Sequence, residues 1–287
     1  MKKLIITVFM LVLVGAQVRA QDGEYGITAG FAGYQGDIAE QAIGFGDAIG
    51  GGGLFFRYHF NERNAIRVNA NYILISGDDT EADDRFRQVD RAITFRNQII
   101  EVGANYQFNI LPFVAGSPRY RFAPYLFAGA AFVSHNPQGV LFEEWYDLAP
   151  LATEGEEYST STFAIPYGIG ANFSLGRNLV NVGVELSHRF TFTDYLDDVS
   201  DSYSNQLDEL ASGTGDLNPD VKRQLLLSVP SVLTAYPNAQ SIDDIPDEIV
   251  RDAASNAAGK VRGNPDRNDG YWYLGFTVSK SIRRMFY

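Results

Sequence analysis

The stretch that decides the fold spans residues 179–203 and reads LVNVGVELSHRFTFTDYLDDVSDSY. From Val180 to Phe192 every second side chain is apolar, and His188 is the one break in that series. A period of two predicts a β-strand. At about a dozen residues this strand exceeds the usual five or six of a soluble sheet. Its length suits a tilted strand that crosses a membrane, which needs about 9 to 11 residues.

A dense group of acidic residues follows this strand directly. Because carboxylates at this density cannot lie in hydrocarbon, the chain must leave the bilayer there. The acids could ligate Ca²⁺, but they lack the spacing of an EF-hand, so a solvated or rim-bonded turn is the favoured interpretation. The four carboxylates belong to Asp194, Asp197, Asp198 and Asp201.

The N-terminal residues predict a secretory signal peptide over 1–20. Lys2 and Lys3 precede an apolar core, and a small-x-small site places the expected cleavage between Ala20 and Gln21. Residues 21–287 are then expected to form one outer-membrane barrel domain with a long insertion over about 193–270. No later stretch has the roughly 18 uncharged apolar residues of a membrane helix. The absence of cysteine excludes disulfides and thiolate metal sites.

Composition narrows the possible partners. The chain carries 35 acidic against 23 basic residues and a net charge of −12, which argues against binding nucleic acid or anionic headgroups through a basic patch. Its 28 glycines and 13% aromatic residues suit a sheet with tight turns.

Eight strands are predicted, and their connections indicate which face meets lipid. Short connections at 61–64, 109–120 and 175–178 alternate with long ones at 33–50, 76–92, 135–160 and 193–270. Short periplasmic turns and long external loops are typical of outer-membrane barrels. The fold class expected is therefore all-β, an eight-stranded antiparallel transmembrane β-barrel with long external loops, the last loop partly helical. The predicted strands cover 24–32, 51–60, 65–75, 93–108, 121–134, 161–173, 180–192 and 271–282.

The alternate strand positions, which are expected to face the barrel interior, carry charged residues of both signs. These side chains are expected to pair inside the barrel, because an unpaired charge there would be costly. An eight-stranded interior has room only for such side chains, so a plugged barrel is predicted. The interior charges are Arg57, Arg67, Glu101, Glu185 and Arg189. Aromatic residues expected in the two interfacial girdles are Tyr58, Phe60, Tyr106, Phe108, Phe190, Phe192 and Trp272.

The long last connection predicts two helices. Asn218 is the expected N-cap of one, with Pro219 in its first turn, and Gly259 closes the other over 246–258. The segment could be a partner-binding surface or a disordered insertion.

No signal for catalysis, a cofactor or a metal emerges from the sequence. The three histidines, His59, His135 and His188, fall on three separate elements, so no metal site or Ser/His/Asp arrangement is indicated. The glycines at 50–53 precede a strand, so a close approach of neighbouring backbones is expected there instead of a phosphate loop.

Several strings resemble the PorG-type outer-membrane β-barrel family, which is associated with the type IX secretion and gliding machinery of Gram-negative bacteria. They run from residue 24 to residue 203 and resume in the last strand. They are Glu24-Tyr25-Gly26, Gly33-Tyr34-Gln35-Gly36-Asp37, Phe56-Arg57-Tyr58 with Asn61, Ile66-Arg67, Thr94-Phe95-Arg96 before Glu101, Pro124-Tyr125-Leu126-Phe127, and the acidic string. The acidic string is the most specific, and its candidate interaction residues are Asp194, Tyr195, Leu196, Asp197, Asp198, Val199, Ser200 and Tyr203.

The resemblance implies a non-enzymatic accessory component that lies in outer-membrane lipid and contacts a periplasmic lipoprotein ring. Two alternatives stay open at this point. One is a small transport or ligand-binding barrel of the OmpA or OmpX type without a secretion role. The other is an outer-membrane protease or acyltransferase, whose catalytic constellation on the barrel rim is not readable in the sequence.

Overall fold

The computed structural model describes residues 23–38, 48–176, 178–212 and 216–282. The expected signal peptide, with its cleavage site at Ala20 and Gln21, lies outside the described residues. Nine strands form a single antiparallel sheet. They are β1 (Gly23–Gln35), β2 (Ile49–His59), β3 (Asn64–Asp78), β4 (Thr94–Asn109), β5 (Phe122–Leu141), β6 (Glu144–Asp147), β7 (Ser161–Ser174), β8 (Val180–Thr191) and β9 (Gly270–Ile282).

Eight of these strands close into a barrel. Apart from β6, each strand pairs with the next along the chain, with β5 pairing with β7, and β1 pairs with β9 to close the ring. The closing pair runs from Gly23 opposite Ile282 to Gln35 opposite Gly270. The prediction of an eight-stranded antiparallel barrel is confirmed. Strand β6 was not predicted; it pairs with the end of β5, which continues past residue 134 to Leu141.

The barrel carries its apolar side chains outward and its polar side chains inward. Leu54 is 65% exposed and Val102 is 56% exposed, while the alternate residues along the same strands are buried. In water such a belt would be unstable, so it faces hydrocarbon. The protein is therefore an outer-membrane β-barrel. None of the helices among the described residues is long and apolar enough to cross a membrane.

Helical segments occur in the long external loops. The loop between β3 and β4 contains a 3₁₀-helix and a short π-helix. The last loop, between β8 and β9, contains the four α-helices of the described residues. The 3₁₀-helices are Asp79–Glu81, Ala149–Leu151 and Ile242–Asp244, and the π-helix is Phe86–Arg91. The α-helices are α1 (Gln206–Ala211), α2 (Pro219–Ser228), α3 (Ser231–Ala235) and α4 (Asp247–Ala257).

The helices of the last loop pack into a cap, defined here as α1 to α4 together with β6 and the end of β5. The Asn218 side chain accepts the Asp220 N–H at 2.8 Å and so caps α2, and Gly259 takes a positive φ of 70° after α4. Leu141 and Leu148 join an apolar core made by the helices. Both predicted helices are confirmed. The described part of this loop forms packed helices, so the alternative of a disordered insertion is wrong for these residues.

One girdle assignment is wrong. Trp272 has the outward parity, but it is only 1% exposed, and its ring packs against Gly33 of β1. A Cβ at Gly33 would lie 2.6 Å from the Trp272 ring, so this contact requires glycine. The close backbone approach expected at 50–53 occurs at Gly53, where a Cβ would lie 2.4 Å from the Ala70 carbonyl oxygen.

A charge placed on the belt should destabilise the barrel. We expect Val102→Arg to lower the free energy of unfolding in lipid vesicles by about 2 to 4 kcal/mol, because the guanidinium would enter hydrocarbon. Val261→Arg is the matched control. Val261 lies in the last external loop and is 67% exposed, so this substitution should change the free energy of unfolding little. Urea titration of both variants measures the difference; equal effects would contradict the assignment of the belt.

Candidate functional site

The periplasmic and middle parts of the barrel interior contain three arginines and three glutamates. The five charges predicted from strand parity all lie buried there, and Glu24 of β1 is the sixth. Arg57 donates to Glu24 at 2.9 Å, Arg67 to Glu185 at 2.5 Å, and Arg189 to Glu101 at 2.9 Å. Charges that are paired in this way can be tolerated in a low-dielectric interior.

Neutral side chains complete the bonding of these carboxylates. Glu101 accepts from Asn71 at 2.7 Å and from the Tyr271 hydroxyl at 2.9 Å, and the Tyr125 hydroxyl donates to Glu185 at 2.9 Å. The arginines also lie against aromatic rings, with Arg67 5.1 Å from the centroid of Phe127. The interior is thus filled by bonded side chains.

An apolar layer lies above these ion pairs at the external end of the barrel. Leu196 and Val199, from the acidic string, are fully buried in it. The Asn97 side chain donates to the Leu196 carbonyl oxygen at 2.6 Å and fixes the segment over the opening. The chain after β8 therefore closes the external mouth. The layer comprises Ala32, Tyr34, Ile38, Ile73, Ile75, Ile93, Phe95, Ile99, Val133, Ala164, Leu196, Val199, Tyr271 and Tyr273.

Two carboxyls of this region meet at one phenol. The Tyr34 hydroxyl lies 2.5 Å from Asp197 Oδ2 and 2.7 Å from Asp269 Oδ1, and it accepts the Asp37 N–H at 2.9 Å. A phenol has a single hydrogen to donate, so the second short contact requires a proton on one of the carboxyls. Burial, with the nearby carboxylates, raises the pKa of both Asp197 and Asp269 well above the usual range.

Asp198 ties the cap to the barrel through Arg262. Its carboxylate accepts from the Thr153 hydroxyl at 2.6 Å, from the Tyr158 hydroxyl at 2.5 Å and from Arg262 at 3.4 Å. Asp198 has a φ of 67°, a left-handed conformation that costs free energy for a residue with a side chain. These three bonds offset that cost.

The loop between β3 and β4 joins the same network. Arg91, in the π-helix, donates to both carboxyl oxygens of Asp79, at 2.6 Å and 2.8 Å, and to the Arg262 carbonyl oxygen at 2.9 Å. The acidic string, the Tyr34 end of β1 and this loop therefore form one connected unit, which we call the rim latch: Tyr34, Asp79, Arg91, Asp197, Asp198, Arg262 and Asp269.

Asp194 is the least satisfied acid of the string. It is buried, and neither carboxyl oxygen makes a hydrogen bond to the described residues. The pKa of Asp194 is raised to about 7, first by burial and then by the neighbouring carboxylates of Asp37 and Glu154, while the nearby Ser200 hydroxyl acts in the opposite direction. Among the described residues no group of three or more His, Cys, Asp or Glu is placed to hold a metal ion.

The rest of the candidate interaction residues are also mostly covered. Ser200 and Tyr203 are buried, and Tyr195 stacks on Tyr158 with ring centroids 4.3 Å apart. Sequence reasoning missed Tyr34, Asp269 and Arg262 as partners of the string. Tyr34 lies within one of the strings that resemble the PorG-type family. Nothing in the spacing of the sequence indicates that it contacts Asp197 and Asp269, which are 163 and 235 positions away.

The periplasmic end of the barrel is closed by a different element. Phe113, in the turn between β4 and β5, is buried, and its N–H donates to the Glu62 carbonyl oxygen at 2.9 Å. Its ring lies 6.1 Å from the ring of His59, which in turn contacts Glu24 at 2.9 Å. The described residues thus cover both ends of the lumen.

The raised pKa of Asp194 predicts how stability depends on pH. A carboxyl with a pKa of about 7 in the folded chain and about 4 when unfolded binds its proton more tightly in the fold. The cap should then be more stable at pH 5.5 than at pH 8, losing stability as pH rises through about 7. We expect Asp194→Asn to reduce this dependence in near-ultraviolet circular dichroism melts and to leave the part that Asp197 and Asp269 contribute. Asp201→Asn, at an exposed neighbour, should leave the pH dependence unchanged. If Asp201→Asn reduced it and Asp194→Asn did not, the assignment of the raised pKa to Asp194 would be contradicted.

Comparison with solved structures finds other barrels. Neisserial surface protein A matches with 10% identity and a TM-score of 0.40, covering 91% of this chain and 97% of that chain. OprG from Pseudomonas aeruginosa matches with 12% identity and a TM-score of 0.38, covering 91% and 97%. The N-terminal β-barrel domain of Pseudomonas aeruginosa OprF matches with 8% identity and a TM-score of 0.36, covering 93% and 100%. No statement about function follows from similarities of this size.

Comparison with protein families gives a more definite result. No curated protein matches the sequence. The model of DUF6089, described as a domain of unknown function, matches residues 2–221, which is most of the chain. These residues include strands β1 to β8, and therefore seven of the eight barrel strands, and the whole acidic string. The chain therefore belongs to the DUF6089 family.

Proposed function

We propose that the protein is a non-enzymatic outer-membrane anchor, an accessory component of a type IX protein secretion or gliding apparatus that contacts a periplasmic lipoprotein ring. The observation that carries this proposal is a barrel that is filled along its length and covered at both ends. Such a barrel suits a rigid membrane anchor. The resemblance of the acidic string and its flanking motifs to the PorG-type family supplies the identity of the apparatus.

The filled interior works against the alternative of a small transport barrel. Arg67 of β3 and Glu185 of β8 meet across the lumen, because these strands are four positions apart in a ring of eight. A solute would have to break this pair, and leaving one partner buried alone costs about 3 to 5 kcal/mol. Above the pair it would meet Leu196 and Val199.

The histidine positions support a role without catalysis. His59 bonds to Glu24 inside the barrel, His188 bonds to Gln35 on its outer side, and His135 is buried without a hydrogen bond from its ring nitrogens. Hydrolases of the Ser/His/Asp type need a histidine beside a hydroxyl nucleophile. None of the three contacts a serine or threonine hydroxyl among the described residues.

The face that would meet a periplasmic ring is formed by the short turns. The turn between β4 and β5 is the longest of them, and it exposes the apolar side chains of Ile110 and Leu111, while the Arg63 guanidinium donates to the Ile110 carbonyl oxygen. Exposed apolar patches mark protein interaction sites, and arginine is enriched at interfaces. We place the proposed contact at this turn.

Capture from native membranes tests the proposal. With a tagged chain expressed in its own cells, we expect periplasmic lipoprotein components to co-purify with the wild type. We expect Leu111→Glu to reduce their recovery roughly tenfold or more, because a charge would replace a central apolar contact. Val261→Glu, which adds the same charge to an exposed apolar site on the external cap, is the matched control and should retain them.

Two outcomes would contradict the proposal. If the wild type, extracted in mild detergent, brings down no lipoprotein component, then the secretion role fails. If both variants lose the components equally, then the contact does not lie at the periplasmic turn. A difference in gel migration between unheated and heated samples verifies that each variant still forms a folded barrel.

A further inference from the structure

A groove of about 540 Å³ lies on the outer face of β2, β3 and β4, at the external edge of the lipid-facing belt. Its sides combine aromatic, aliphatic, hydroxyl and amide groups with one cation, Arg96, and one carboxylate, Asp78. Strand β6 supplies Trp145, which reaches the groove from the cap. The lining includes Ile49, Tyr72, Leu74, Arg96, Gln98 and Trp145.

The strand register places this groove at the depth of lipid headgroups. Tyr72 pairs with Ile100, and both are exposed on the belt. One outward step further the pair is Leu74 with Gln98, and the next is Ser76 with Arg96. The surface changes from apolar to polar over these rows. The groove is therefore continuous with the membrane interface and opens where the outer leaflet ends.

Arg96 is held in place without a carboxylate partner. Its Nε donates to the Gln138 side chain at 2.8 Å, and its guanidinium lies 4.3 Å from the centroid of the Trp145 ring. Its terminal nitrogens have no acceptor among the described residues. By contrast Arg57, Arg67 and Arg189, inside the barrel, all pair with glutamate.

Two acids beside the groove are already bonded to neutral donors: Asp78 lines it, and Asp147 bonds to the same Gln138 that accepts from Arg96. Asp78 accepts from the Thr80 hydroxyl at 2.6 Å and from the Thr94 hydroxyl at 3.0 Å. Asp147 accepts from Asn136 at 2.8 Å and from Gln138 at 2.7 Å. These bonds engage both carboxylates, and neither forms an ion pair with Arg96. The positive charge is left available to an anion in the groove.

Hydrogen bonds also fix the neutral polar groups of the groove. The Tyr72 hydroxyl donates to Gln98 at 3.1 Å, and Gln98 donates to Gln138 at 3.2 Å. Gln138 thus accepts from both Gln98 and Arg96. A site whose side chains are already ordered loses little conformational entropy when a ligand binds.

We propose that this groove binds a phosphorylated lipid of the outer leaflet. The Arg96 guanidinium takes phosphate oxygens in charge-assisted hydrogen bonds. Trp145 and Tyr72 cover the headgroup, as aromatic residues do at membrane interfaces. Leu74 and Ile49 contact the start of an acyl chain, which continues along the belt. The bound lipid would hold β6, and hence the cap, against the membrane.

Lipid binding by the full-length protein tests the proposal. Purified protein in detergent is titrated with bisphosphorylated lipid A, and bound lipid is counted by native mass spectrometry. We expect Arg96→Gln to weaken binding about tenfold, because it removes the charge-assisted bonds but keeps an amide. Trp145→Ala should weaken it as well. Dephosphorylated lipid A should bind the wild type as weakly as intact lipid A binds Arg96→Gln.

The chain offers a matched control for the cation. Arg223 also lies over an aromatic ring of β6, at 5.5 Å from the centroid of Tyr146, but on the cap side. Arg223→Gln should bind lipid A like the wild type. The proposal is overturned if Arg223→Gln and Arg96→Gln behave alike, or if removal of the phosphates does not change binding. Should Arg96→Gln fail to fold, Trp145→Ala and the dephosphorylated lipid give the decision.

Discussion

Charges enclosed by the barrel must be neutralised within it, and the rest of the structure depends on this constraint. Three arginines and three glutamates are buried there, and each arginine has a glutamate partner. Two of the pairs are not between neighbouring strands: Arg67 on β3 reaches Glu185 on β8, and Arg189 on β8 reaches Glu101 on β4. These pairs connect opposite sides of the ring. They fill the lumen and hold the sheet in one register.

The same requirement explains how the cap is attached. An external loop with many acids could lie in water, but here the acidic string turns back over the mouth and buries Leu196 and Val199. Its carboxyls are then covered and need partners, which Tyr34, Thr153, Tyr158 and Arg262 provide. The rim latch therefore couples closure of the mouth to folding of the cap. Closure and cap folding should accordingly occur together.

The sequence predicts the barrel well because alternation has a direct structural cause. Each strand predicted from a period of two is present, and parity alone places Arg57, Arg67, Glu101, Glu185 and Arg189 inside. Parity does not show whether an outward side chain is covered by a neighbour, which is why the girdle assignment of Trp272 is wrong: its ring is buried against Gly33. It also does not give partners across the lumen, since these depend on strand register and tilt. Strand β6 has four residues, Glu144–Asp147, and so is too short to show a period.

Conductance of the purified full-length protein in a planar bilayer tests the central claim most directly. Because the lumen is filled by ion pairs and covered at both ends, the account predicts no stable current steps under applied voltage, while a porin added afterwards shows that the bilayer accepts proteins. Reproducible current steps from the protein alone would contradict a filled barrel and, with it, the role of a rigid anchor.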